Sequence, residues 1–307
     1  MGTESSMGTD MSTFTSLDAR ASSSVSPAPV PRRRRRPAFI RHIGLTVFAL
    51  FVLYPLIWLV ISSFKPAHLI LSDTSIIPDR MTVENYRSGW TALNRPFWVF
   101  FANSLIVALG AIVGNIFSCS LTSYALARLH FRMRNIYFGI VLVSVMLPMH
   151  VMIIPQYIVF SKLGLVNTFV PLVLPKFLAT DAFFIFLMVQ FIRGIPRELD
   201  QAAMLDGAGP FKTFFYIILP LMTPALVTTT IFTFIWTWND FFTPLIYLTK
   251  VQIMTVPIAL RTMVDAESTL GIGELLAMSV LSLVPIMLFF AFAQKYLVRG
   301  IATTGLK

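Results

Sequence analysis

Ile195-Pro196-Arg197-Glu198-Leu199-Asp200-Gln201-Ala202-Ala203-Met204-Leu205-Asp206-Gly207-Ala208 interrupts two apolar stretches, residues 169–191 and 221–248, with more internal order than a linker needs. Pro196 suits a first helical turn, and Glu198 and Asp200 put negative charge at the positive end of a helix dipole. Gly207 can take the left-handed conformation that ends a helix. Pro210 then suits the start of a second helix, and Phe211, Phe214, Phe215 and Ile218 follow at the i, i+3, i+4, i+7 spacing of one apolar stripe. Two short helices on a glycine turn have a shape that fits another protein's groove, or that lies as an amphipathic loop on a membrane surface.

Both flanking stretches approach the ~20 apolar residues that carry a helix across hydrocarbon. Four more do so at residues 43–61, 98–127, 136–160 and 275–297. With 56% hydrophobic and only 12% charged residues, the chain is excluded from the ordinary soluble class. The pattern predicts an all-α, polytopic membrane protein with six transmembrane helices.

The formal charge of +10 reads as a topology signal rather than as a footprint for nucleic acid. One set of connections collects the five arginines at 32–36 with Arg41, Arg128, Arg132, Arg134, Arg193, Arg197, Lys212, Lys295, Arg299 and Lys307. The other set holds only Lys65, Arg80, Arg87, Arg95, Lys162, Lys250 and Arg261. The positive-inside rule therefore places both termini in the cytoplasm, for a multi-pass protein of the cell (inner or plasma) membrane. Residues 1–40 are expected to be a disordered basic cytoplasmic tail whose arginines can attract anionic membrane lipid. Residues 41–307 form the transmembrane domain, with the loop at 193–218 on the cytoplasmic side.

Polar groups within the spans are candidate functional sites, because hydrocarbon makes them expensive. Trp236, Trp238, Asn239 and Asp240 combine indole faces with hydrogen-bonding groups. That set suits a sugar, and it equally suits an aromatic belt at the outer headgroups. Asp181 could line a path or, equally, pair with another helix. Lys176 lies five positions earlier, off the same helical face, so no local ion pair is expected and Lys176 should snorkel outward. Pro148, Pro155, Pro171, Pro175 and Pro244 fall inside the apolar stretches, as breaks along a translocation path or as packing kinks.

Enzymatic signatures are missing. There is no G-x-x-x-x-G-K-[ST] phosphate loop and no H-E-x-x-H, and Cys119 is the only cysteine. Nothing in the pattern nominates a catalytic residue or a metal ligand.

The residues Gln201-Ala202-Ala203 and Asp206-Gly207-Ala208, followed by Phe214, Ile217, Leu219 and Pro220, resemble the E-A-A loop of ABC importer permeases. Further pieces extend the resemblance from the first span to residues 294–300. They are Ser63-Phe64-Lys65, Glu84-Asn85-Tyr86, Asn103-Ser104-Leu105, Ile154-Pro155, Leu163-Gly164-Leu165 and Trp238-Asn239-Asp240-Phe241. They point to the maltose-type carbohydrate permeases, in the branch of the smaller maltose subunit. The basic tail lies outside the likeness.

The resemblance implies a type I ABC importer transmembrane domain, serving as the permease subunit for a sugar or glycoside. It implies that Glu198, Gln201, Ala202, Ala203, Asp206, Gly207, Ala208, Phe211 and Phe214 form a coupling helix and its continuation against an ATP-binding subunit. The terminal segment 300–307 is expected to touch that subunit too. Implied partners are a second homologous permease, two ATP-binding subunits that hold ATP and Mg, and an extracellular solute-binding protein, with no nucleic acid. No cofactor is expected in this chain. Gln201 departs from the family's glutamate, keeping its length and losing its charge. An ion-coupled secondary transporter is the alternative; it would account for broken helices, but no inverted repeat supports it.

Overall fold

Hydrocarbon offers no partner to backbone N–H and C=O groups, so a chain of this composition resolves into helices that satisfy them internally. The computed structural model describes residues 38–70, 72, 75, 78, 80–265 and 271–304. Most of the basic tail expected at 1–40, its five arginines included, lies outside these, as do residues 305–307. The chain divides into two compact units, Met1–Leu53 and Tyr54–Lys307. What is described of the first belongs to the helix α1 (Ala38–Ser62).

After α1 come α2 (Glu84–Thr91), α3 (Trp98–Arg128), α4 (Arg134–Val145), α5 (Met149–Lys162), α6 (Val170–Phe177) and α7 (Ala182–Arg193). The loop contributes α8 (Glu198–Leu205) and α9 (Pro210–Thr213), a π-helical stretch Phe214–Ile218 and α10 (Leu219–Leu221). The chain continues with α11 (Thr223–Trp238), α12 (Phe242–Tyr247), α13 (Val256–Asp265) and α14 (Ile272–Thr304).

Among the described residues, four segments are long and apolar enough to cross a membrane: His42–Ser62, Trp98–Arg128, Val170–Arg193 and Ile272–Lys295. Two bent pairs bring the number to six when each pair is one crossing. In one, α4 and α5 meet at 106°; in the other, Pro210–Leu221 meets α11 at 73°.

The crossing expected over 221–248 ends early. Asn239 closes α11 and Asp240 Oδ1 accepts the Thr243 N–H at 3.1 Å, opening the separate helix α12. Pro244 therefore sits in the first turn of α12, where its missing N–H costs nothing. The stripe expected from Phe211 to Ile218 is also divided, because the π-helical stretch changes the angular step. Phe214 and Ile218 turn inward while Phe211 and Phe215 stay exposed.

The second unit is organised around α3, which packs against α6, α7 and α11. Close approach to α6 depends on glycine. A Cβ on Gly114 would lie 2.8 Å from Phe177 Cδ2 and 3.0 Å from the Lys176 backbone carbon, and one on Gly110 would lie 2.9 Å from Val173. Small residues serve this purpose in membranes, where association rests on packing rather than on a hydrophobic drive.

At the end of α3 away from the loop, Asn103 Nδ2 donates to the carbonyls of Gln252 and Met254, both at 2.9 Å. Ser104 Oγ accepts from the Val256 N–H at 2.8 Å. Buried Asn85 does the same for the segment after α1, donating to the Ser63 and Lys65 carbonyls.

Gly114→Ala should destabilise the protein by roughly 1–3 kcal/mol through overpacking. Gly139→Ala, where an added Cβ meets nothing within 4 Å, should be neutral or stabilising. Thermal denaturation of the detergent-purified variants checks this, and equal midpoints would count against close α3–α6 packing.

Candidate functional site

Two groups of side chains have chemistry that packing alone does not require. The first surrounds α8. Its opening turn carries Glu198 and Asp200, which complement the exposed amides there. Its end is a Schellman motif: the Ala208 N–H donates to the Ala203 carbonyl at 2.8 Å and the Gly207 N–H to the Met204 carbonyl at 3.1 Å. Gly207 has φ +73°, as the left-handed position of that motif demands. Pro210 then opens α9 at its first position.

The loop residues divide by direction. Glu198, Gln201, Ala202, Asp206, Gly207 and Phe211 are exposed, and so are Met204 at 69% and Leu205 at 90%. Ala203 and Phe214 point inward beneath this surface; Phe214 is 2% exposed and its ring lies 5.1 Å from that of Tyr124. Ala208 is partly covered.

Below them runs a core of Phe184, Ile185, Met188, Ile192, Phe214 and Ile218. The last turns of α3 hold both limbs of the loop. Arg128 Nη2 donates to the carbonyls of Ile192 and Ile195 at 3.0 and 2.7 Å, and Nη1 pairs with Asp200 Oδ2 at 3.3 Å. Tyr124 donates to the Pro210 carbonyl at 3.1 Å.

The second group lies at the break between α6 and α7. Ala179 has φ +55°, outside any right-handed helix, and the helix is interrupted there without a sharp change of direction. Lys176 Nζ consequently reaches Asp181 Oδ1 and Oδ2 at 3.0 and 2.9 Å. This corrects the expectation of no local pair, which assumes an unbroken helix; Lys176 does not snorkel away from Asp181. Asn115 Nδ2 donates to Asp181 Oδ2 at 2.7 Å and to Thr233 Oγ1 at 3.1 Å. Ser118 donates to the Lys176 carbonyl at 2.6 Å and Thr180 to the Pro175 carbonyl at 2.8 Å. Three helices thus converge on one carboxylate.

The aromatic candidates separate. Trp236 is half-exposed and packs among Phe183, Phe184 and Phe232, beside the start of α7. Trp238 is buried, stacked on Phe101 and Phe234. Asn239 donates to its own helix at the Ile235 carbonyl, and Asp240 caps α12. Of the five, Asp181 and Trp236 share a neighbourhood and the other three do not join them. Among the described residues no three His, Cys, Asp or Glu side chains are placed to hold a metal ion.

Sequence reasoning passes over Asn115, Tyr124 and Arg128 as site residues. Asn115 carries the usual signal, an amide inside an apolar span. Arg128 reads in sequence only as a flanking charge.

The family of binding-protein-dependent transport system inner membrane components matches residues 114–303. The chain belongs to this family. The permease is 33% identical over 281 residues to the arabinooligosaccharides transport system permease protein AraQ of Halalkalibacterium halodurans, spanning 90% of this chain and 99% of that one. It is 31% identical over 276 residues to the sn-glycerol-3-phosphate transport system permease protein UgpE of Brucella abortus, spanning 86% and 96%. A solved bacterial ABC transporter involved in the import of the acidic polysaccharide alginate shares the fold, with a TM-score of 0.72 at 24% identity over 84% of this chain and 95% of that one. The permease is therefore the multi-pass inner membrane component of a binding-protein-dependent ABC transport system and not its ATPase. Such a system implies a partner permease, ATPases and a binding protein.

The Lys176–Asp181 pair is about three-quarters covered, at 26% and 24% side-chain exposure. Removing one partner leaves the other charge poorly solvated, so Asp181→Ala should cost more than the double variant Lys176→Ala/Asp181→Ala relative to Lys176→Ala. A double-mutant cycle on thermal stability should give a coupling of roughly 1–2 kcal/mol; additive effects would rule the pair out.

Proposed function

We propose that the permease lines one half of a translocation path for a carbohydrate or related polyol and that α8 is the seat of an ATP-binding subunit. The observation that carries this reading is the surface of α8: a helix closed by a Schellman turn, turning Met204 and Leu205 outward, with Phe211 at the start of α9 exposed as well. Apolar side chains this exposed at a helix end call for a partner's groove. Gln201 and Glu198 supply polar contacts around them, and ATP and Mg are held by two copies of that partner. With α8 cytoplasmic, six crossings place both termini on the same side, as the positive charges require.

In this reading closure of the two ATP-binding subunits moves α8, and the spans turn from inward-facing to outward-facing to receive solute from an extracellular binding protein. A second, homologous permease completes the path. The solute class rests on the relatives: arabinooligosaccharides and sn-glycerol-3-phosphate share a polyhydroxylated carbon skeleton. Asp181 and Trp236 offer a carboxylate and an indole in one neighbourhood, a combination that suits hydroxyl groups and sugar C–H faces. The Lys176 contact to Asp181 counts against the ion-coupled alternative, because an ammonium already occupies the place beside the carboxylate that a driving cation would take.

Co-expression with the partner permease and ATP-binding subunit of its transport system tests the reading. Leu205→Asp and Gly207→Pro should each lower recovery of the ATP-binding subunit through a tag on this chain by about tenfold or more, at unchanged membrane level. Undiminished recovery in both variants would move the docking surface elsewhere.

A further inference from the structure

The exposed face of α8 accounts for docking but not for how a displacement there reaches the membrane. Covalently α8 is joined on both sides by turns, residues 194–197 and 206–209. Such turns absorb motion by bending. A push on α8 is transmitted only if a stiffer contact bypasses them.

Arg128 supplies that contact. Its guanidinium is the last group of a helix of 31 residues, and it binds simultaneously Asp200 on α8, the Ile192 carbonyl in the last turn of α7 and the Ile195 carbonyl in the turn between them. Its side chain is 6% exposed and that of Asp200 14%. The pair is thus shielded from the solvent and salt that weaken surface ion pairs. With its donors set in a planar, rigid fork, the Arg128 guanidinium fixes geometry in a way a lysine cannot. Tyr124, one turn earlier, holds the second limb of the loop at Pro210. About 20 Å from Arg128 along α3, at 1.5 Å per residue, Asn115 grips Asp181 at the break between α6 and α7.

We propose that Arg128 is the positioning residue that carries movement of α8 into α3, and that the Asn115–Asp181 contact delivers it to the broken span. The proposal rests on α8 being the seat of the ATP-binding subunit. It assigns Arg128 to transmission, not to docking. Loss of the Arg128–Asp200 contact should separate nucleotide-driven closure from movement in the membrane while the complex stays assembled.

The test uses the complete co-expressed complex with Thr180→Cys as a reporter thiol beside the break; Cys119 is fully buried and contributes little background. Two quantities are read: recovery of the ATP-binding subunit, and the ratio of labelling rates of the reporter thiol by a water-soluble maleimide with and without ATP plus vanadate. Asp200→Asn and Arg128→Gln should keep recovery within about threefold and cut the nucleotide-dependent labelling change by about fivefold or more, the scale of an ordinary coupling between sites. Arg128→Lys should restore part of it.

A full labelling change in both variants overturns the proposal and leaves the docking reading intact. Loss of recovery in both also overturns it, since Arg128 would then only shape the docking surface. A parent complex that recruits no ATP-binding subunit, or shows no labelling change, overturns the docking reading itself. Should Arg128→Gln fail to accumulate, Asp200→Asn decides alone, because it keeps the side-chain shape and the carbonyl contacts of Arg128.

Discussion

A helix that breaks inside hydrocarbon frees carbonyl and amide groups that no water can satisfy, and each must find a protein partner or cost free energy comparable to a lost hydrogen bond. This chain breaks its helices repeatedly, and α3 supplies many of the replacements. Ser118 covers the Lys176 carbonyl at the α6–α7 break, and Arg128 covers those of Ile192 and Ile195 where α7 ends. At the opposite end Asn103 takes the carbonyls of Gln252 and Met254, and Ser104 the amide of Val256. The polar residues of α3 are thus placed by the interruptions of their neighbours, and the rest of the second unit hangs on that correspondence.

The arrangement divides mechanical roles. Residues 98–128 contain no proline and run as one uninterrupted helix, held closely to α6 through Gly110 and Gly114. Around it, Pro148 marks the bend between α4 and α5, and a positive φ at Ala179 opens the fourth crossing. A transport path must change shape without exposing backbone to lipid. A continuous helix whose side chains bond to broken ones meets both needs, since the broken segments can pivot while their carbonyls stay partnered.

Much of this is legible in the residues alone. The spans follow from apolar length, and the turn that closes α8 follows from Asp206-Gly207-Ala208, because glycine at that position has a direct conformational cause. The Lys176–Asp181 pair is illegible for an equally direct reason. Five residues are out of phase on a helix, and nothing about an alanine at 179 announces a left-handed backbone. The π-helical stretch at Phe214–Ile218 hides in the same way: a regular stripe in sequence, divided in space by one changed angular step. Arg128 is visible as a charge, but its role depends on where α7 ends and α8 begins, which hydropathy locates only to within a few residues.

The distribution of charge on α8 bears on how a partner docked there, as proposed, would be held. Asp200 turns toward Arg128 and is committed to the interior, which leaves Glu198 and Asp206 as the outward acids and Gln201 between them as a neutral amide. Exposed ion pairs contribute little, about 0–1 kcal/mol, whereas covering apolar surface yields about 25 cal/mol per Å². If a groove encloses Met204, Leu205 and Phe211, the affinity comes from those side chains. On that condition Gln201, where the resemblance leads to an expected glutamate, would bear on register and choice of partner more than on binding strength, which is where interface charge has most of its effect.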